Sequence, residues 1–190
     1  MRRILSSAIV ILAASSVTLG CDNPSSSVPA AASQSPSASP AEAAPLRVGD
    51  AAPDVSLKLH DGTTVALSSL KGKQVLVYFY PKDDTQGCRI EAQGIRDHWA
   101  EIQQAGVTVY GVSLQDATSH QAFIDKENLP FPLVVDTTGD VAKAFHVPVK
   151  GEYAKRQTFL IGPDGKIKKV WLEVDPKGHA QEIVSAAKTS

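Results

Sequence analysis

Residues 75–80 read Val-Leu-Val-Tyr-Phe-Tyr, six apolar side chains in succession. A strand with one wet face alternates apolar and polar, so a run this continuous and this short has to be covered on both faces. The chain is thereby committed to a sheet with other elements packed on each side. Residues 86–105 follow without a proline, carry Ile90, Ile95, Trp99 and Ile102 near helical spacing, and meet a stop at Gly106. Residues 107–112 (VTVYGV) read as the next strand. Strand, helix and strand in that order imply a parallel crossover.

The flanking sequence supplies the remaining layers. Residues 55–59 and 63–67 alternate apolar and polar around His60-Asp61-Gly62, the pattern of a β-hairpin. A second helix is expected over 119–128 with Phe123 and Ile124 inward, then a short strand at 133–135 and a short helix at 141–145. Strands at 158–161 and 166–171 flank the turn Gly162-Pro163-Asp164-Gly165, and a helix over 179–188 closes the chain. The order is β-β, β-α-β-α-β, β-β-α. It fits an α/β fold of thioredoxin-like type, an N-terminal hairpin followed by a central mixed sheet flanked by helices, better than a doubly wound sheet.

The first residues stand apart from this pattern. Arg2 and Arg3 precede an apolar stretch at 8–14, and no charge occurs between Arg3 and Asp22. The strongly apolar part is much shorter than the ~20 residues of a membrane span, so it reads as an export signal over 1–20. Its end, Val17-Thr18-Leu19-Gly20-Cys21, resembles the lipobox of bacterial lipoproteins, with the usual Leu displaced by one position. That resemblance implies lipidation of Cys21 and an anchor in the cell envelope membrane, on the periplasmic side. Of the next 24 residues, 22–45, 19 are Pro, Ser or Ala, which have little to bury and suit an extended tether. The folded domain is expected over 46–190.

Composition narrows the function. A net charge of −1 over 190 residues excludes a polybasic nucleic-acid binder, and from Cys21 onward 17 basic against 20 acidic residues leave −3. Two cysteines, Cys21 and Cys88, exclude a disulfide scaffold and a Cys-rich zinc site. His60, His98, His120, His146 and His179 show no paired metal-ligand spacing, and each reads as a surface or satisfied core residue. Trp99 and Trp171 lie in patterned elements and read as core.

One segment carries chemistry. The central strand ends at Tyr80, a polar loop follows (Pro81-Lys82-Asp83-Asp84-Thr85), and Cys88 then stands in the first turn of a long helix. Unpaired backbone N–H groups and the positive helix end favour a thiolate there, although many cysteines are inert core residues. Thr85 is placed to cap the helix and Pro81 to end the strand.

Pro81, Thr85 and Cys88 together match the Pro-x-x-x-Thr-x-x-Cys signature of peroxiredoxins. Val48-Gly49-Asp50 with Pro53, Gly72-Lys73 before YFYPKDDT, and Glu91-Ala92 resemble the bacterioferritin-comigratory, or Q-type, branch. So do Gly111-Val112-Ser113, Leu129-Pro130-Phe131-Pro132 with Asp136, and Arg156 with Thr158-Phe159-Leu160. The resemblance implies a thioredoxin-like fold and thiol-dependent reduction of hydrogen peroxide or organic hydroperoxides, with no bound cofactor or metal. It implies that Cys88 attacks the peroxide and that the Thr85 hydroxyl aligns it. It further implies that Pro81 shields the thiolate, Arg156 stabilises it, and Glu91 supports the site from behind. The partners it implies are a peroxide and an external thiol reductant, a thioredoxin-like protein or a small thiol, with a monomeric chain.

The sequence also departs from that branch. Gln86 and Arg89 stand where Pro and Thr are usual. Gln93 occupies the position of the resolving cysteine found in many Q-type members, so 46–190 holds one thiol and a one-cysteine mechanism is expected. A free Cys21 would be the only other thiol in reach; a lipidated one is blocked as a thioether. The competing reading is a lipid-anchored binding module resembling Sco-type copper proteins. Those use a Cys-x-x-x-Cys pair, and here Ala92 stands in place of the second cysteine.

Overall fold

A computed structural model describes residues 44–189 of the chain. Strands β1 (Ser56–Lys58) and β2 (Thr64–Ala66) form the expected antiparallel hairpin, one residue shorter at each end; β2 stops at Ala66 because Leu67 starts a 3-10 turn, Leu67–Leu70. Then come β3 (Gln74–Phe79), α1 (Gln86–Asp97), α2 (Trp99–Gln104), β4 (Val107–Ser113), α3 (Ala117–Glu127), β5 (Leu133–Val135) and α4 (Asp140–Ala144). The chain finishes with β6 (Val149–Lys150), β7 (Tyr153–Ala154), β8 (Gln157–Ile161), β9 (Ile167–Trp171) and α5 (His179–Lys188).

The central sheet has the order β5-β4-β3-β8-β9. Strands β3, β4 and β5 run parallel, as the crossover pattern requires, and β8 and β9 are antiparallel additions. The run 75–80 is apolar throughout because β3 sits in the middle. Leu76, Tyr78 and Tyr80 point into the core shared with α1, α2, α3 and α5. Val75, Val77 and Phe79 point into the opposite core, beneath the hairpin and α4. All six are fully buried or nearly so, and each large one contributes about 1.5–3 kcal/mol relative to exposure.

Three expectations change. The helix over 86–105 is two helices. His98 leaves helical dihedrals (φ −97°, ψ 14°) while its ring Nδ1 lies 3.0 Å from the Gly94 carbonyl oxygen, a side-chain contact with the helix's own ladder. The second helix begins at Ala117, two residues early, because Asp116 caps it by accepting from the Ser119 N–H at 2.8 Å. The two-residue hairpin β6–β7 was not expected, being too short for a periodic signal. Trp171 is buried and Trp99 half-buried against the core. The signal at 1–20, Cys21 and most of the segment 22–45 lie outside the described residues.

Candidate active site

The site begins where β3 ends. Pro81 is half-buried and stops the strand. The loop behind it is pinned from within by Asp83, a buried carboxylate that accepts from the Tyr80 hydroxyl (2.7 Å) and the Ser119 hydroxyl (2.6 Å). Asp83 also lies 2.9 Å from His120 Nδ1, and His120 Nε2 is 3.0 Å from the Val134 carbonyl oxygen. Burial alone would raise the Asp83 carboxyl, but the bonds from His120, Ser119 and Tyr80 hold it below its ordinary value. Asp84 follows in the left-handed region (φ 57°), fixed by Lys126 Nζ, which donates to both its carboxylate oxygens at 2.6 and 2.7 Å. The loop is thereby tied to α3, so the start of α1 has a set position.

Thr85 occupies the N-cap position of α1 but does not cap it through its side chain, contrary to the sequence reading. Its exposed hydroxyl donates instead to the Lys82 carbonyl at 3.3 Å. The leading N–H groups of the helix therefore lack a side-chain acceptor, and the positive helix end is open to an anion. Cys88 stands in this first turn and is 1% exposed.

Arg156, just before β8, donates from Nη2 to Cys88 Sγ at 3.2 Å. Its Nη1 donates to Glu91 Oε2, the carboxylate one turn further along α1. A single guanidinium thus serves the thiol and a fully buried carboxylate from separate nitrogens. Burial pushes the Glu91 carboxyl up to about 7, and the charge and hydrogen bond of Arg156 only partly oppose it. His179, at the start of α5, is the next group: its Nε2 is 2.9 Å from Thr158 Oγ1 and 3.9 Å from Glu91 Oε1. Burial, reinforced by the charge of Arg156, lowers His179 to about 4. Tyr78 lies stacked on Tyr80 at 5.5 Å, and burial with the nearby Glu91 and Cys88 pushes its phenol well up.

Cys88, Glu91 and Arg156 are therefore brought together; Thr85 and Pro81 flank them on the loop. Two of the three departures from the branch pattern lie on the α3 side. Arg89 Nε donates to Glu127 Oε1 at 3.0 Å and Gln93 to Glu127 Oε2 at 2.6 Å, so both side chains face α3 rather than the thiol. Sequence reasoning missed His179, which had read as an ordinary histidine and whose Nδ1 has no hydrogen-bond partner among the described residues. It missed Tyr78 as well, although a phenol inside a doubly covered strand signals a hydroxyl in need of a partner.

A thiol held at a helix start by an arginine, under a mixed sheet, defines a thiol-dependent enzyme of thioredoxin-like fold. Residues 48–170 match the AhpC/TSA family. A protein assigned as peroxiredoxin Bcp in Coxiella burnetii is 43% identical over 146 residues, 73% of this chain and 97% of that one. The crystal structure of a Xylella fastidiosa PrxQ mutant matches with a TM-score of 0.71 at 33% identity, over 75% of this chain and 96% of that one. The bacterioferritin comigratory protein of Xanthomonas campestris matches with a TM-score of 0.69 at 33% identity, over 75% and 96%. The chain belongs to the AhpC/TSA family, in its peroxiredoxin Q or bacterioferritin-comigratory branch. It is a thiol peroxidase, acting on peroxide with a thiol reductant.

Proposed function

We propose that this peroxidase works through Cys88 alone. The observation that carries the reading is the 3.2 Å bond from Arg156 Nη2 to Cys88 Sγ at the open end of α1. Sulfur attacks the nearer peroxide oxygen, an S–O bond forms and the O–O bond breaks. Cys88 is oxidised to a sulfenic acid, and the departing oxygen takes a proton and leaves as water or an alcohol. Arg156 holds the thiolate and the aligned oxygens, and Glu91 holds Arg156. The Thr85 hydroxyl, on a long 3.3 Å bond to Lys82, exchanges that acceptor for a peroxide oxygen. Pro81 shields the sulfur from water.

The sulfenic acid is then reduced from outside. An external thiol displaces water to give a mixed disulfide, and a second thiol releases Cys88. Gln93 stands where a resolving cysteine would be, and no other cysteine occurs in 46–190. Hydrogen peroxide and organic hydroperoxides are both substrates in this reading; the X. campestris relative has alkyl peroxide reduction activity. The reading further assigns 1–20 to an export signal, Cys21 to a lipid anchor in the cell envelope, 22–45 to the tether and 46–190 to a monomeric catalytic domain. Stopped-flow peroxide consumption by the Cys88→Ser protein tests it: loss of the reaction is expected, and retained consumption overturns the assignment.

A further inference from the structure

Glu91 has two oxygens and only one is used. Oε2 accepts from Arg156, whereas Oε1 is buried and has no hydrogen-bond partner among the described residues. Within 4 Å of that oxygen lies the imidazole of His179. The ring is fixed edge-on against Trp171, with centroids 5.2 Å apart, and its Nδ1 is itself unpartnered, 4.0 Å from Glu182 Oε2. The hydroxyl of Tyr78 on β3, beside Glu91, is likewise buried without a partner, and so many orphan polar atoms in one site are unusual.

We propose that His179 is a positioning residue of the thiol site, the group that answers the second oxygen of Glu91 and thereby sets how much of the Arg156 charge falls on Cys88. The proposal rests on the reading of Cys88 as the reacting thiol. When Glu91 is ionised, Oε1 needs a donor, and Nε2–H reaches it by a shift of about 1 Å away from Thr158. When Glu91 carries a proton, its O–H has Nε2 as acceptor, and the ring proton moves to Nδ1, on the Glu182 side. The two tautomers of one neutral ring thus match the two states of the carboxyl.

The consequence reaches the sulfur through Arg156. An ionised Glu91 competes with Cys88 for the guanidinium; a neutral Glu91 leaves the cation to the thiolate. The groups facing Glu91 are Arg156 before β8, His179 on α5, Cys88 on its own helix and Tyr78 on β3. Because Glu91 titrates at about 7 and His179 at about 4, the carboxyl changes charge near neutrality while the ring stays neutral.

Two measurements on the full chain test this. The first is the pH profile of the second-order rate of Cys88 with hydrogen peroxide. The wild type is expected to show a step near pH 7 that disappears in Glu91→Gln. His179→Phe is expected to move the step up by about half a unit or more, since of the two bonds lost the charge-assisted one to the carboxylate is the stronger. His179→Gln, which keeps an N–H donor, is expected to move it back toward the wild-type position. In the Glu91→Gln background His179→Phe should leave the profile unchanged; an equal effect in both backgrounds overturns the proposal, because a purely structural ring would act independently of Glu91. The second measurement needs no His179 variant. Nitrogen-15 shifts of the His179 ring should switch tautomer at the pH where Glu91 titrates, and should not switch in Glu91→Gln. A ring with one tautomer throughout overturns the proposal. If Cys88→Ser still consumes peroxide while the tautomer follows Glu91, the Cys88 assignment fails and the Glu91–His179 pairing stands.

Discussion

Gly87 leaves the space that the Arg156 guanidinium occupies: a β-carbon at Gly87 would stand 3.2 Å from Nη2. That nitrogen is the one donating to Cys88 Sγ. A side chain at that position would press on the cation at closer than ordinary contact distance, so the residue preceding the thiol favours glycine.

Gly87→Ala is therefore expected to separate activity from stability. Alanine in a helix is favoured over glycine by up to about 1 kcal/mol, so the melting temperature should hold or rise. The added methyl displaces Nη2 by a few tenths of an ångström, and the peroxide rate constant should fall several-fold. Stopped-flow kinetics beside thermal denaturation read both; an unchanged rate would mean that the guanidinium moves aside without cost.

Arg156→Ala removes a cation and an orienting donor together. The peroxide step should slow by on the order of 100-fold or more, because the thiolate and the developing charge lose their fixed cation. Arg156→Lys should recover only part of the loss, because one ammonium cannot serve Sγ and Glu91 from two directions. Stopped-flow rates of peroxide reaction for the three proteins at one pH decide; an unchanged rate constant in Arg156→Ala counts against the role.

Glu91 and His179 impose opposite pH dependences on stability. Glu91 is raised from 4.5 to about 7, so between these values the folded state binds more protons than the unfolded one, and stability falls as pH rises. His179 is lowered from 6.5 to about 4, so the unfolded state binds more protons over that range, and stability rises with pH. In the wild type the two nearly cancel between pH 4.5 and 6.5. His179→Phe should expose the falling slope and Glu91→Gln the rising one, each at most about 1.4 kcal/mol per pH unit. Urea unfolding at a series of pH values measures the slopes, and parallel curves for the three proteins would refute the opposition.

The oxidised thiol should persist until an outside thiol meets it. Membrane-extracted mature protein, treated with one equivalent of peroxide, is expected to give a dimedone adduct on Cys88, lipid mass on the N-terminal peptide and no internal disulfide. A loss of about two daltons without lipid would instead join Cys21 to Cys88, since closing a loop of that length costs only a few kcal/mol. Intact-mass spectrometry distinguishes these outcomes.

What the chain determines by itself is local. Six apolar residues at 75–80 dictate a central strand whatever surrounds them, and the order of strand, loop and helix puts Cys88 in a first turn. The hairpin around Gly162–Gly165 and the helix from His179 were legible for the same reason: turn residues and periodicity act within a few positions. The break at His98 was not, because it depends on a ring finding a carbonyl of its own helix. The partners of the thiol were decided by the tertiary structure. Arg156 is 68 residues from Cys88 and 65 from Glu91. It arrives there because β8 runs antiparallel to β3 with Gln157 opposite Phe79, so that the residue before β8 lies beside the end of β3, where the loop to Cys88 begins. His179 reaches Glu91 only because α5 packs on α1 across the same face of the sheet. Register and helix packing are non-local sums over many buried contacts, and no window of sequence around Cys88 contains them.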